Sequence, residues 1–204
     1  MSIKCADFGY TSSWFEWPPQ SWYSLHMRLL VPEDTSAITD LYSQASRHAN
    51  SVGHIDWPNP INEDFASGLI ATNALFGWDN NQGIDGALLA TTSPNAAIWN
   101  DLDGQPSALY LAKIATSNTV RGQGFFEAQM LPDVRANFSM LTPIRLDCLA
   151  DNEKLKLFYA SLGFVAVEDT VFYSIKQGRE IAVTKFELVP WENLSSCQAG
   201  WAKP

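Results

Sequence analysis

The order of predicted elements indicates a mixed α/β domain. A strand and two helices open the regular part of the chain, and two apolar runs joined by a polar, glycine-containing turn follow them. The second half passes twice from a strand into a helix and ends in further strands. A mixed α/β domain is the architecture that this succession predicts.

The first half begins with an apolar run from Met27 to Val31, which predicts a strand that Pro32 ends. Asp34 or Thr35 then caps a helix whose apolar residues recur at helical spacing. The elements expected after it are a loop over 51–62, a helix over 63–72, strands over 75–78 and 84–91, and a loop over 93–105 that is polar apart from Ile98 and Trp99.

The second half repeats a strand-to-helix unit. The first unit runs from an apolar strand over 108–116 through the glycine turn at 121–124 into a helix. The second unit is an alternating strand over 144–150 followed by a helix over 152–162 that Gly163 ends. The closing strands are expected over 164–167, 171–175 and 181–189, the last two forming a hairpin.

Composition indicates a globular chain with one main domain. Of its 204 residues 46% are hydrophobic and 17% charged, which supplies a sizeable core. The chain has 13 Lys and Arg against 22 Asp and Glu, a formal net charge of -9. Because binding to nucleic acid or to an anionic membrane depends on Lys and Arg, this charge argues against both partners.

Cysteine usage and the chain ends favour a cytoplasmic location. Cys5, Cys148 and Cys197 are far apart and form no CxxC pair, so neither a disulfide framework nor a zinc site is expected. The first residues lack the apolar stretch of a signal peptide, and nowhere do roughly 18 apolar residues run together as a membrane helix requires.

Three segments divide the chain. Residues 1–26 are rich in aromatic residues and proline, residues 27–189 carry the regular pattern, and residues 190–204 form a C-terminal tail. The first segment is either an arm that packs its rings on the domain or on a second subunit, or an extension upstream of the domain.

Two motifs carry candidate chemistry. Arg121, Gly122, Gln123 and Gly124 lie between a strand and a helix, where backbone amides and the helix dipole hold phosphate oxygens. The alternative is that these glycines only form a tight turn that binds no ligand. In the second motif Asn152 opens a helix and Tyr159 lies on it, either as a core side chain or with its hydroxyl at the mouth left by the preceding strand.

Together the two motifs resemble those of the GNAT superfamily of N-acetyltransferases. The family's coenzyme loop has the pattern Arg or Gln, two residues, Gly, one residue, then Gly or Ala, and the turn from Arg121 to Phe125 matches it. An Asn opening a helix that ends in Tyr and a Gly-Phe pair corresponds to Asn152, Tyr159 and 163–164. The segments over 55–58, 108–116 and 145–152 also look like a bacterial small-molecule subgroup.

The resemblance implies a mostly antiparallel sheet that splays into a V between two central strands, with acetyl-CoA in the gap. Backbone groups of Ile114, Ala115 and Thr116 would then pair with the pantetheine arm, and amides of the turn would hold the pyrophosphate. Tyr159 would protonate the leaving thiolate, and Asn152 would contact the coenzyme. The residues implied for the pyrophosphate site are Arg121, Gly122, Gln123, Gly124, Phe125 and Phe126.

Two residues depart from the family pattern. Phe126 stands where a final small residue is expected, and Pro132 falls within the following helix, where it removes an amide and predicts a kink. The interpretation favoured for Phe126 is that its ring points into the core while its amide still serves the coenzyme.

The acceptor side is less specific in sequence. An ammonium must lose a proton before it attacks, so a carboxylate or histidine is expected near the gap. His54 and Asp56 are the first candidates, with a solvated surface as the plainer explanation, and Trp57, Trp78 and Trp99 either line the acceptor site or belong to the core.

No metal is expected, and Cys148 is interpreted as a buried core thiol. The function indicated is direct acetyl transfer from acetyl-CoA to the amine of a small molecule, with a homodimer as a possible assembly. The alternatives are a catalytically silent acyl-CoA-binding or regulatory module, and acetylation of a protein amine.

Overall fold

A seven-stranded sheet forms the centre of the computed structural model. The structure describes residues 26–53, 57–58, 60–80, 83–99, 108–138, 143–174 and 178–188. Its strands are β1 (Met27–Leu29), β2 (Leu75–Asn80), β3 (Gly83–Thr91), β4 (Leu109–Thr116), β5 (Ile144–Leu149), β6 (Val165–Ser174) and β7 (Arg179–Leu188). They lie in the order β1-β2-β3-β4-β5-β7-β6, in which β4 and β5 are parallel and the other neighbours are antiparallel.

Helices cover both faces of this sheet. They are α1 (Thr35–Ser51), α2 (Glu63–Ile70), α3 (Ala96–Trp99), α4 (Leu131–Asn137) and α5 (Glu153–Ser161). α1 and α2 close one apolar cluster against the strands, and α4 and α5 contribute to a second, larger cluster. Leu88 belongs to the larger cluster and Ala87 to the smaller one, as expected when successive strand residues point to opposite faces. The expected mixed α/β fold with a mostly antiparallel sheet is therefore confirmed.

The two central strands separate soon after they meet. The parallel ladder between β4 and β5 joins Leu109 to Ile144 and Tyr110 to Arg145, and both strands then continue apart. On its other edge β4 stays paired with β3 as far as Thr116. One edge of β4 is thus left facing a gap, which is the V predicted from the resemblance.

A β-bulge in β4 lies at this gap. Ala115 pairs with Ala87 and Ala112 with Leu89, so β4 uses one residue more than β3 over the same interval. Lys113 lies in the bulge with φ of 53°, a left-handed conformation that a lysine adopts only when its surroundings impose it. Tyr42 in α1 helps to impose it, because its hydroxyl donates a 2.8 Å hydrogen bond to the Lys113 carbonyl. Burial raises the pKa of Tyr42, which keeps that proton in place.

The structure corrects three details of the sequence interpretation. β6 is one continuous strand, whereas separate strands over 164–167 and 171–175 were expected, because a register shift between Ala166 and Glu168 lets the strand bend and stay paired. The polar segment 93–105 contains the short helix α3, whose Ile98 and Trp99 are buried.

The third correction concerns the position of Pro132, which was expected in the interior of a helix. A π-helical turn, Phe126–Met130, precedes α4, and Pro132 falls in the first turn of α4, where a missing amide costs little.

Both outer segments, residues 1–25 and 189–204, lie outside the described residues, as do Cys5 and Cys197. Within the described part of the chain, no helix is long and apolar enough to cross a membrane.

Candidate functional site

A cleft of about 880 Å³ opens where β4 and β5 diverge. A second cavity of about 440 Å³ follows β4 toward the glycine turn. Ile114, Leu155 and Tyr159 line both cavities, so the two spaces meet at these side chains. The arrangement provides a place for one elongated ligand along β4 and for a smaller one deeper in the cleft.

The glycine turn forms the outer end of the smaller cavity. Gly122 and Gly124 have φ of 73° and 75°, conformations that glycine adopts without strain. Gly122, Gly124, Phe125 and Phe126 line the cavity together with Glu127. The backbone here comes close to any ligand that occupies the groove, which is what a phosphate-binding turn requires.

Arg121 and Gln123 brace the turn from within. The Arg121 guanidinium donates to the Thr116 carbonyl at 2.8 Å and to Asn118 Oδ1 at 2.5 Å, and burial lowers its pKa. The Gln123 backbone amide donates to the Val120 carbonyl at 3.1 Å, and its side-chain amide donates to the Thr119 carbonyl at 2.7 Å. Neither residue is among those that line the two cavities. Their predicted contact with the pyrophosphate stays a prediction.

Asp85 fastens the start of the turn to β3, and sequence reasoning missed it. Its Oδ1 accepts hydrogen bonds from Ser117 Oγ at 2.9 Å and from Thr119 Oγ1 at 2.8 Å, and its carbonyl accepts from the Ser117 amide. The available signal was a lone carboxylate inside the apolar run of β3, since a buried charge needs hydrogen-bond partners.

Tyr159 lies at the junction of the two cavities. It is 6% exposed, and the rings of Phe158, Phe164 and Phe186 have centroids 5.7 to 5.8 Å from its own. These rings fix the phenol within the core cluster while its surface still contributes to both cavity walls. Tyr159 is therefore a core side chain that also lines both cavities, and its role as general acid stays a prediction.

Asn152 begins α5 as its N-cap. Its Oδ1 accepts a 3.1 Å hydrogen bond from the Leu155 amide, which satisfies one of the free amides of the first turn. The side chain does not line either cavity. The cap is its observed role, and contact with a coenzyme stays a prediction.

Phe126 turns its ring away from the turn and into the core. It is 6% exposed, and its ring centroid lies 6.0 Å from that of Phe158. This placement agrees with the interpretation of Phe126 as a core residue next to the groove. Its ring forms part of the cavity wall, and the cavity remains open beside it.

Trp57, one of the acceptor-side candidates, lines the larger cleft. Its ring packs on Tyr42 with centroids 5.2 Å apart, and the Lys113 ammonium lies 5.5 Å from its centroid. His54 and Asp56 lie outside the described residues. Trp78 is a fully buried core residue whose indole donates to Asp133.

Asp147 on β5 is a further cleft residue that sequence reasoning missed. Its Oδ1 accepts a 3.2 Å hydrogen bond from the indole Nε1 of Trp99, so Trp99 lies behind the cleft wall. Burial raises the pKa of Asp147, against the lowering effect of this hydrogen bond and of the positive charges of Lys113 and Lys185. The signal in sequence was the alternation of Arg145 and Asp147 with apolar residues, but the pattern does not say which space that face meets.

Cys148 is a buried thiol of the larger apolar cluster, as predicted, and part of it reaches the cleft wall. No group of three or more His, Cys, Asp and Glu residues suited to a metal occurs among the residues that the structure describes.

Comparison with known proteins finds similarity to acetyltransferases. No family model matches the sequence. The chain is 28% identical over 142 residues to the uncharacterized N-acetyltransferase YesJ of Bacillus subtilis, an alignment that covers 66% of this chain and 78% of that protein.

Solved structures share the fold. A GNAT family acetyltransferase from Streptococcus agalactiae has a TM-score of 0.67 at 15% identity, with 82% of this chain and 96% of that one covered. YncA from Salmonella typhimurium, a putative acetyltransferase solved with its cofactor acetyl-CoA, has a TM-score of 0.52 at 15% identity, with 81% and 93% covered. The sequence motifs, the split sheet and these likenesses agree: the chain has the fold of GNAT acetyltransferases and is similar in sequence to an N-acetyltransferase.

Proposed function

We propose that this protein transfers the acetyl group of acetyl-CoA directly to the primary amine of a small molecule. The observation that carries the proposal is the separation of β4 from β5 beyond Tyr110, which opens two cavities that meet at Tyr159. A donor lying along β4 and an acceptor in the larger cleft would bring their reacting atoms together at that junction.

The groove along β4 suits the coenzyme. Beyond Tyr110 the ladder to β5 ends, so Ile114, Ala115 and Thr116 lie where β4 borders the gap, and a pantetheine arm can pair with backbone groups there. The amides around Gly122 and Gly124 would receive the pyrophosphate at the outer end. The coenzyme supplies the thioester carbonyl that the amine attacks.

Tyr159 is the proposed general acid. A thiolate leaves when the tetrahedral adduct collapses, and a phenol at the junction can give it a proton. Three aromatic rings pack against the Tyr159 ring and hold it in place at the junction. Direct transfer needs no nucleophilic side chain.

The larger cleft supports a small acceptor. Its walls combine apolar and aromatic side chains with the charges of Lys113, Asp147 and Arg179, and a cleft of about 880 Å³ is within the usual size of small-molecule sites. We propose that Trp57, which lines this cleft, contacts the acceptor; His54 and Asp56 stay candidates from sequence for the same role.

A silent coenzyme-binding module was the main alternative because of Phe126. Its ring packs on Phe158 and the groove beside it remains open, which favours coenzyme binding but does not by itself require turnover. A measurement of turnover distinguishes the transferase from the silent module.

The test has two stages. Calorimetric titration of the folded, coenzyme-free protein with acetyl-CoA is expected to show one site, and a variant with Gly122 and Gly124 both changed to Val is expected to lose it. Release of thiol is then followed with a panel of alkylamines, arylalkylamines, amino acids and a linear polyamine. Binding without turnover on any of these would support the silent module, and absence of binding would refute the donor site.

A further inference from the structure

We propose that Asp147 receives the ammonium group of the acceptor and removes its proton. This role rests on the transfer function proposed above and gives the cleft its missing base. The evidence is the position of Asp147 in the fold, the way its carboxylate is held, and the charges around it.

Asp147 lies just beyond the point where β5 separates from β4. Arg145 forms the last rung between β5 and β4, and Asp147 is two residues further along β5, on the same face. Asp147 is thus the first residue on this face after the strands part, and it lines the cleft. The residues on either side of it, Leu146 and Cys148, point into the larger apolar cluster. Asp147 therefore points to the opposite face of the sheet from that cluster, and both Asp147 and Tyr159 line the cleft that opens between the strands.

One oxygen of the carboxylate is held, and the group keeps capacity for more. The Trp99 indole donates to Oδ1 at 3.2 Å, and this is the one hydrogen bond of the Asp147 side chain within the described part of the chain. An ionised carboxylate has about four acceptor positions. Asp147 can therefore accept further hydrogen bonds from a group that enters the cleft, while Trp99 acts as a positioning residue that fixes its orientation.

Basic side chains surround Asp147 on the neighbouring elements, and other partners hold several of them. Lys185 on β7 stands directly across from it in the ladder, but the Lys185 ammonium lies 3.1 Å from Glu168 on β6. Arg145 on β5 pairs with Glu187 on β7 at 2.7 Å. On β4, the Lys113 ammonium lies over the Trp57 ring.

Arg179 of β7 is a further charged group in the cleft wall. Among the described residues, none forms an ion pair with Asp147 within 4.0 Å. A carboxylate that lines the cleft and forms no ion pair with a described residue keeps a place for an incoming ammonium.

Burial then makes the carboxylate a better base. The pKa of Asp147 is raised because the cleft wall disfavours the charged form, and Lys113 and Lys185 oppose the shift. A raised pKa brings the group closer to the operating pH, where proton acceptance is most efficient.

The proton balance is complete with groups already present. Asp147 takes one proton from the acceptor ammonium, and the free amine forms the bond to the thioester carbonyl carbon. When the carbon–sulfur bond breaks, Tyr159 gives its phenolic proton to the sulfur. The nitrogen of the new amide loses its second proton to the Tyr159 phenolate, and Asp147 releases its proton to solvent.

The decisive experiment compares Asp147→Asn with wild type on two amines of similar shape. Benzylamine is protonated at neutral pH and needs a base, whereas aniline is already neutral. We expect the variant to lose kcat/KM for benzylamine by about 10²- to 10⁴-fold and to keep the aniline rate within a few-fold. Asp40→Asn, which changes an exposed carboxylate of α1, is the matched control and should leave both rates unchanged.

The pH profile gives a second readout that a purely structural role would not change. For benzylamine, wild-type kcat/KM should reach a plateau above the pKa of Asp147. The Asp147→Asn variant must capture the small neutral fraction of amine, so its kcat/KM should rise about tenfold per pH unit until the amine itself titrates. Equal losses on both amines, or an unchanged profile, would overturn the role of Asp147 and leave the transfer function standing.

A third readout needs no turnover. The Trp99 indole proton is bonded to Asp147, so its NMR signal, assigned with Trp99→Phe, should titrate with a pKa above that of an ordinary aspartate and lose the titration in Asp147→Asn. A signal that titrates in the ordinary range would overturn the assignment even if neither amine reacts. Wild-type protein that binds acetyl-CoA but acetylates no amine of the panel would instead refute the transfer function, and this role with it.

Discussion

Asp85 offers a direct test of whether the glycine turn is held from β3. In Asp85→Ala the hydroxyls of Ser117 and Thr119 lose their shared acceptor. Ser117 is buried, whereas Thr119 is exposed and can turn to water, so the cost arises mainly at Ser117. A buried donor left without its partner costs about 1–3 kcal/mol. The two hydroxyls also contact each other, which favours the lower part of that range.

Urea denaturation measures this loss, and calorimetry with acetyl-CoA measures its consequence at the turn. We expect Asp85→Ala to lower the free energy of unfolding by about 1–2 kcal/mol. The same variant should weaken acetyl-CoA binding, because Ser117 begins the segment that leads to Gly122. Asp85→Asn keeps an oxygen acceptor of the same shape and is the matched control, expected to retain most of both quantities. If the alanine variant matched the asparagine variant in stability and affinity, the anchoring argument would be refuted.

Three further predictions follow from the site. Tyr159→Phe should lower kcat by about 10²-fold or more with the acetyl-CoA Kd nearly unchanged, as steady-state thiol release and calorimetry can show; an undiminished kcat would remove the general acid. Asn152→Ala should cost about 1 kcal/mol of stability in urea through the lost cap, and a large loss of acetyl-CoA affinity beyond that would reveal a coenzyme contact. Asp147→Asn should raise the Tm at neutral pH, because the folded-state pKa lies above the unfolded value and the ionised form is disfavoured by folding. That gain should disappear as the pH falls below the unfolded pKa of about 3.9; a lowered Tm at neutral pH would contradict it.

Periodicity and turn residues were sufficient to predict most of the elements from Met27 onward, apart from α3 and the single strand β6. The helical spacing in α1, the cap at Asn152 and the stop at Gly163 are local features, so the sequence contains their causes. β6 was divided in the prediction because Glu168, Asp169 and Thr170 interrupt its apolar run. The pairing with β7 keeps that stretch in one strand, and pairing between distant segments is not visible in local sequence.

From the sequence, candidate site residues could be predicted only where they belong to a recognisable motif. The glycine turn and Tyr159 could be identified from spacing and family resemblance, and both lie at the cavities. Asp147 could not be identified, because a period of two assigns it to a face and does not say that the sheet splits there. The anchoring role of Asp85 could not be predicted, because its hydrogen-bond partners Ser117 and Thr119 are distant from it in sequence.

The two departures from the family pattern form one local feature. Phe126 replaces a small residue, and its carbonyl accepts from the Leu131 amide across a π turn, which has one more residue per hydrogen bond than an α-helix. The chain must then return to α-helical bonding, a change that ordinarily leaves an amide without a partner. Pro132 occupies the next position and has no amide to leave unpaired. The wider turn and the proline therefore support each other, and the Phe126 ring can pack on Phe158 while the groove beside Gly124 remains open.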